Sequence, residues 1–166
     1  DWLAEPRYSA NYDAKEKIVV RQTGDSLVVA LDTSQFIVRD NLYTIVCSED
    51  TSPRYILALL NSKLLNWFYQ TIINPEKGEA LAQVKRGHLA QLPIRPINFN
   101  DPTDKARHDK MVSLVERMLE LHKRNPRTPQ EKESLAGEIA SVDRSIDELV
   151  YQLYGLTEEE IKIVIG

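Results

Sequence analysis

TSPRYILALLNSKLLNWFYQTII, residues 51–73, decides the fold. Pro53 suits the first turn of a helix, where a missing N–H costs nothing, and Ser52 before it is a good N-cap. Ile56, Leu60, Leu64, Phe68 and Ile72 then recur at every fourth position, a helical period. Leu57, Leu59, Leu65 and Trp67 widen that stripe until most of the circumference is apolar, which is the mark of a buried helix. Asn61, Ser62, Lys63 and Asn66 interrupt the run, and the stretch is too short for a membrane span. The expectation is one long helix against which a small sheet packs.

Working outward, residues 1–16 show no periodicity and read as a lead-in loop. Lys17-Ile18-Val19-Val20-Arg21 and Leu27-Val28-Val29-Ala30-Leu31 read as strands. Thr23-Gly24-Asp25-Ser26 between them has the composition of a turn, so the two form a hairpin. Phe36-Ile37-Val38 is a short strand or a bend, and Leu42–Cys47 is the most strand-like run of all. Beyond the helix, Asn74–Gly78 is loop chemistry. Leu81–Lys85 alternates and is placed to return to the sheet, and Leu89 and Leu92 form a short helical turn closed by Pro93. Ile94, Ile97 and Phe99 continue as an extended, proline-punctuated strand.

At Asp101 the pattern changes. Asp101-Pro102-x-Asp104 is a helix start, and Asn125-Pro126-Arg127 ends that helix. Thr128, with Glu131 closing a capping box, starts the next. Leu135, Ile139, Val142, Ile146, Leu149 and Leu153 are spaced alternately by four and three, a coiled-coil seam. At 1.5 Å per residue that helix is about 40 Å long. Gly155 is a fitting C-cap, and Thr157-x-x-Glu160 opens a last short helix. A short connection between two such helices makes an antiparallel hairpin. The fold class is α+β: a small mixed sheet on a central buried helix over residues 1–100, then an antiparallel two-helix hairpin over 101–166.

Composition narrows the function. A chain of 166 residues with 42% apolar residues supports a packed core. Net charge is −4, which argues against a generic polyanion binder but leaves room for a local basic face. The acidic excess lies in the helical C-terminal third. One cysteine, Cys47, builds neither a disulfide framework nor a zinc site, so a reducing, cytoplasmic setting is expected. There is no signal-peptide pattern. The chain opens at Asp1 without Met, as a fragment of a longer polypeptide would.

Catalytic motifs are missing. No Gly-x-Gly pair exists, so a dinucleotide fingerprint and a P-loop are both absent. His88, His108 and His122 are dispersed, without a second ligand at metal-binding spacing. Glu160-Ile161-Lys162 is the one Glu-x-Lys, and it lies on an amphipathic helix where an exposed charge pair is the plain reading. Asn74-Pro75 is followed by Glu76 and Lys77, which breaks the Asn-Pro-Pro-aromatic pattern of amino-methyltransferases. The chain reads as non-catalytic, with no metal.

Two clusters suit a nucleic acid. Lys15, Lys17, Arg21, Gln22 and Thr23 lie on and beside the first strand, with Arg39 further on. Gln83, Lys85, Arg86 and His88 form the second, with Arg95 beyond. Arg reads guanine bidentately and Gln reads adenine, while Lys and Thr hold phosphates. The competing reading is solvated charge at strand ends. Tyr43, Tyr55, Trp67 and Tyr69 suit core packing better than base stacking.

The order of motifs adds to this. Lys17–Arg21 and its hairpin come first, then Asn41-Leu42-Tyr43-Thr44-Ile45-Val46 and Tyr55-Ile56-Leu57-Ala58-Leu59-Leu60-Asn61-Ser62-Lys63-Leu64. Leu89-x-x-Leu92-Pro93-Ile94 follows, and a helical pair ends in Asp147-Glu148-Leu149-Val150-Tyr151-x-x-Tyr154-Gly155-Leu156-Thr157. From Lys17 to Ile163 the chain resembles the TaqI-like C-terminal specificity domain. Such domains are target-recognition modules of type II restriction-modification enzymes and related adenine-N6 DNA methyltransferases, similar to type I specificity subunits. The resemblance implies double-stranded DNA as partner. It also implies an upstream methyltransferase domain that carries catalysis and S-adenosylmethionine, with no cofactor in this chain and no membrane. It carries over no site residues, since recognition side chains differ between relatives.

Two other readings compete. The apolar seam from Leu135 to Leu153 would suit a protein-interaction module, unless its own partner helix covers it. A free-standing enzyme finds no support in any motif.

Overall fold

The computed structural model describes residues 13–38, 41–74, 76–79 and 82–166. Three strands form the sheet: β1 (Lys17–Arg21), β2 (Val29–Asp32) and β3 (Leu42–Ile45), in the order β2-β1-β3. Both pairings are antiparallel, where the sequence suggested a mixed sheet. Ile18 and Val20 point to the buried side and Val29 joins them, as a period of two requires. Phe36–Val38, expected as a short strand or a bend, is neither: it is irregular chain just after a bend at Ser34.

The long helix is broken. Helix α1 spans Pro53–Asn61, α2 spans Lys63–Phe68, and Tyr69–Ile73 forms a π-helical turn. The four polar residues that interrupt the apolar run make the joint. The Ser62 hydroxyl donates to the Leu59 carbonyl at 2.7 Å and accepts the Leu65 N–H at 3.2 Å, so it ends one helix and caps the next. The Asn61 amide accepts the Val29 N–H at 3.3 Å and donates to the Val29 carbonyl at 3.0 Å, and Asn66 accepts the Leu27 N–H at 3.1 Å. These two side chains serve the outer edge of β2 as a fourth strand would. The Lys63 N–H bonds Asp147 at 2.9 Å, and its ammonium lies 3.1 Å from the same carboxylate. Ile72, expected on the buried stripe, is exposed on the π turn.

Short helix α3 covers Arg86–Leu89. The segment from Ile94 to Phe99 is not a strand. Pro93 and Pro96 supply no N–H to a ladder. Side chains hold it instead: Tyr55 donates to the Arg95 carbonyl at 2.9 Å and Tyr154 to the Pro93 carbonyl at 2.6 Å. Helices α4 (Pro102–Lys123), α5 (Pro129–Tyr154) and α6 (Glu158–Ile165) start and stop as their caps dictate. Asp101 caps α4, Thr128 and Thr157 form capping boxes with Glu131 and Glu160, and Gly155 takes φ +68° at the end of α5. Leu135, Ile139 and Val142 are half-buried against α4, while Ile146, Leu149 and Leu153 are buried in the main core. The seam is thus consumed within the hairpin and by the globule beneath it. Arg54 ties the parts together, bonding Glu16 at 2.8 and 3.0 Å and lying 3.3 Å from Glu116 of α4. Among the described residues, no helix is long and apolar enough to cross a membrane.

Candidate nucleic-acid interface

The two clusters seen in the sequence meet at one end of β1. Thr23 and Gln83 form an antiparallel bridge, flanked by Gly24 N–H to the Ala82 carbonyl at 2.8 Å and Val84 N–H to the Gln22 carbonyl at 2.8 Å. On the other side the Gln22 N–H reaches the Asn41 carbonyl at 3.0 Å. Leu81 lies outside the described residues, but the expected return to the sheet takes place at Ala82–Val84. Strand alternation then places Arg21, Thr23, Gln83 and Lys85 on the outer face, and all four are exposed. Arg21 stands between Leu42 of β3 and Val28 beside β2. Its guanidinium lies across Gly24: φ is +116°, which favours glycine, and a Cβ there would stand 2.8 Å from Nη2 and push the flexible guanidinium aside.

Support comes from below. The Tyr69 hydroxyl lies 3.5 Å from both the Gln83 carbonyl and His88 Nδ1, so the π turn sets the position of the second cluster. Burial, with Glu76 and Asp25 nearby, pushes the Tyr69 phenol up to about 12, so it stays neutral. Glu76 accepts the Gln83 N–H at 3.0 Å and pairs with the Lys85 ammonium. The Lys85 bond, then that N–H, holds its carboxyl below the usual range. Neither Tyr69 nor Glu76 stands out as a site residue in the sequence. A Glu in a breaker-rich loop nine positions before a Lys is the one signal for the second.

The remaining candidates divide. Arg86 is exposed on α3, and His88 is half-buried towards Tyr69. Lys15 is exposed ahead of β1, at the opposite end from Arg21. Gln22 is half-buried on the inner side of the strand and does not share the face of Arg21. Lys17 does not belong to a DNA-contacting surface. It is fully buried, with its ammonium 2.9 Å from Asp32, its cross-strand partner. Arg95 is likewise committed, bonding Asp104 at 2.8 and 3.1 Å. Arg39 lies outside the described residues. Among the described residues no group of His, Cys, Asp and Glu could hold a metal ion.

A strand-end platform of Arg, Thr, Gln and Lys on a small sheet fits recognition of a polyanion better than any chemistry of bond making. Residues 2–94 match the TaqI-like C-terminal specificity domain. The chain belongs to that family. TaqI-like specificity domains are DNA-recognition modules of restriction-modification enzymes, and they are not the catalytic part. The match runs from the lead-in segment through the sheet, α1, α2 and α3 to Ile94, so the specificity-domain match contains both clusters and stops before the hairpin. No curated protein matches the chain.

Proposed function

We propose that the chain reads a short duplex sequence with the outer face at the Arg21 end of β1, and positions a tethered adenine-N6 methyltransferase of a type II restriction-modification system on it. The observation that carries this is the Thr23–Gln83 bridge, which brings two clusters sixty residues apart in sequence onto one exposed platform. Arg21 and Gln83 have the donors to read base edges, and Thr23, Lys85 and Arg86 suit phosphates. Lys85 is shared with Glu76, so phosphate binding at this point displaces an existing pair and adds less than a free lysine would. The tethered domain would hold S-adenosylmethionine and extract the target adenine from the stack. The hairpin α4–α5, whose apolar seam is already covered, serves as a spacer that sets the distance to that domain.

The test is an Arg21→Glu/Arg86→Glu double variant on a cognate duplex. Losing the phosphate contact of Arg86 lowers the slope of log affinity against log salt by about 0.9, and losing the base contacts of Arg21 costs about a further 1–3 kcal/mol on the cognate duplex. Binding as tight as wild type at low salt would move the interface elsewhere.

A further inference from the structure

Phe36 and Ile37 are the two most exposed large apolar side chains among the described residues, at 67% and 79%. Neither packs on the core. Exposed pairs of this kind usually sit on mobile tips, but this one is held firmly. Asp32 accepts the Ser34 N–H at 2.8 Å and the Phe36 N–H at 2.9 Å, and its carboxylate is buried against Lys17. Gln35 takes φ +56°, a left-handed conformation that a residue with a side chain adopts only when its surroundings enforce it. Its amide donates to the Asp13 carbonyl at 2.8 Å. A buried ion pair, two backbone bonds and a strained residue therefore fix two apolar side chains in water.

From this we infer that Phe36 and Ile37 form an apolar wedge that enters a base step of the bound duplex and unstacks it. The inference rests on the DNA reading above. Three features favour a duplex over a protein partner. The apolar area is confined to two side chains, whereas a stable protein interface needs about 800 Å² on each side. Its neighbours Thr33, Ser34 and Gln35 are exposed hydroxyl and amide groups, which suit phosphates and groove edges. Within residues 32–38 the one carboxylate, Asp32, is buried and neutralised by Lys17, so it does not repel a phosphate. Apolar wedges of Phe, Ile, Leu or Pro are the usual means by which proteins open a base step.

The geometry of the strand sets the spacing. The loop follows Asp32, which pairs with Lys17 at the start of β1, and exposed Lys15 lies just ahead of that pair. Arg21 is at the other end. Six residues of extended chain from Lys15 to Arg21 span about 20 Å, or about six base pairs at 3.4 Å each. Wedge and platform thus fit one recognition site, with the kink at one end and base reading at the other.

The test uses a duplex recovered from a random pool by the wild-type chain, with 2-aminopurine placed at each position in turn. Unstacking by the wedge should raise the fluorescence at one step on binding. Phe36→Ala/Ile37→Ala should abolish that rise and weaken binding about tenfold or more, while melting as wild type because both side chains are exposed. Phe36→Leu should keep most of the signal, since the wedge needs apolar bulk and not an aromatic ring. Binding with flat fluorescence at every position, or an alanine pair indistinguishable from wild type, overturns the wedge and leaves the platform standing. Failure of the wild-type chain to recover any duplex overturns both.

Discussion

Replacing Lys17 by Met separates a structural lysine from a DNA-contacting one. Lys17 is buried, 2.9 Å from a buried Asp32 carboxylate. Removing one member of a buried ion pair costs about 3–5 kcal/mol, since the other charge stays out of water. Asp32 keeps two backbone N–H bonds, from Ser34 and Phe36, so the low end, about 3 kcal/mol, applies. For a chain of this length each kcal/mol lowers the melting temperature by about 2–4 °C, giving a drop of about 6–12 °C. Urea unfolding of wild type, Lys17→Met and Arg21→Ala measures this directly. Lys17→Met should fall by about 3 kcal/mol, and below its own melting range it should keep the wild-type salt slope on DNA. Arg21→Ala should keep stability within about 0.5 kcal/mol and weaken binding to the cognate duplex by about 1–3 kcal/mol. A Lys17→Met chain of wild-type stability with a reduced salt slope would refute the assignment of this lysine to the core.

Other outcomes follow from the same contacts. Asn61→Ala leaves the Val29 N–H and carbonyl without their amide partner, and because Asn61 is exposed to replacing water the loss should be about 1 kcal/mol in a urea melt, well short of a dry orphan. Gly24→Ala forces a side chain into φ +116° and onto the Arg21 guanidinium, so it should lower both stability, by about 1–2 kcal/mol, and DNA affinity, where Gly137→Ala, in open space within α5, should lower neither. Burial alone would raise the Asp32 carboxyl, but the Lys17 bond and the Ser34 and Phe36 N–H groups outweigh it and hold the carboxyl below its usual 3.8. A depressed carboxyl contributes stability that is full above the unfolded value and lost as pH falls through the folded one. Wild-type melting should therefore drop more steeply below about pH 3.8 than that of Asp32→Asn, whose loss is already present at neutral pH.

What was legible in the sequence was what acts over a few residues. Ser52, Asp101, Thr128, Thr157 and Gly155 each cap as their neighbours require, and the bounds of α4, α5 and α6 follow. β1 was also readable, because Lys17–Arg21 is β-branched and ends at a turn. The break at Ser62 was not. It depends on Val29, Leu27 and Asp147, which are between 32 and 84 residues away from their partners in α1 and α2. Lys17 looked like surface charge for the same reason, since only the β1–β2 register sets it against Asp32. Ile94–Phe99 has the composition of a strand, yet Pro93 before it, Pro96 within it and the hydroxyls of Tyr55 and Tyr154 hold it as an irregular segment. On the site, the side-chain chemistry of Arg21, Thr23, Gln83 and Lys85 was readable, and their union was not, because it rests on one bridge at Thr23–Gln83. The exposed Phe36–Ile37 tip was hidden within an apolar triplet that reads as a short strand or a bend.

The proposed function stands or falls on whether this chain recognises a DNA sequence. Selection of the chain against a pool of random duplexes, sequenced after binding at two salt concentrations, tests it most directly. Sequence recognition predicts one short enriched motif, about six base pairs or less given the roughly 20 Å from Lys15 to Arg21, with affinity falling steeply as salt rises. Recovery of unenriched sequences at both salt concentrations would contradict it.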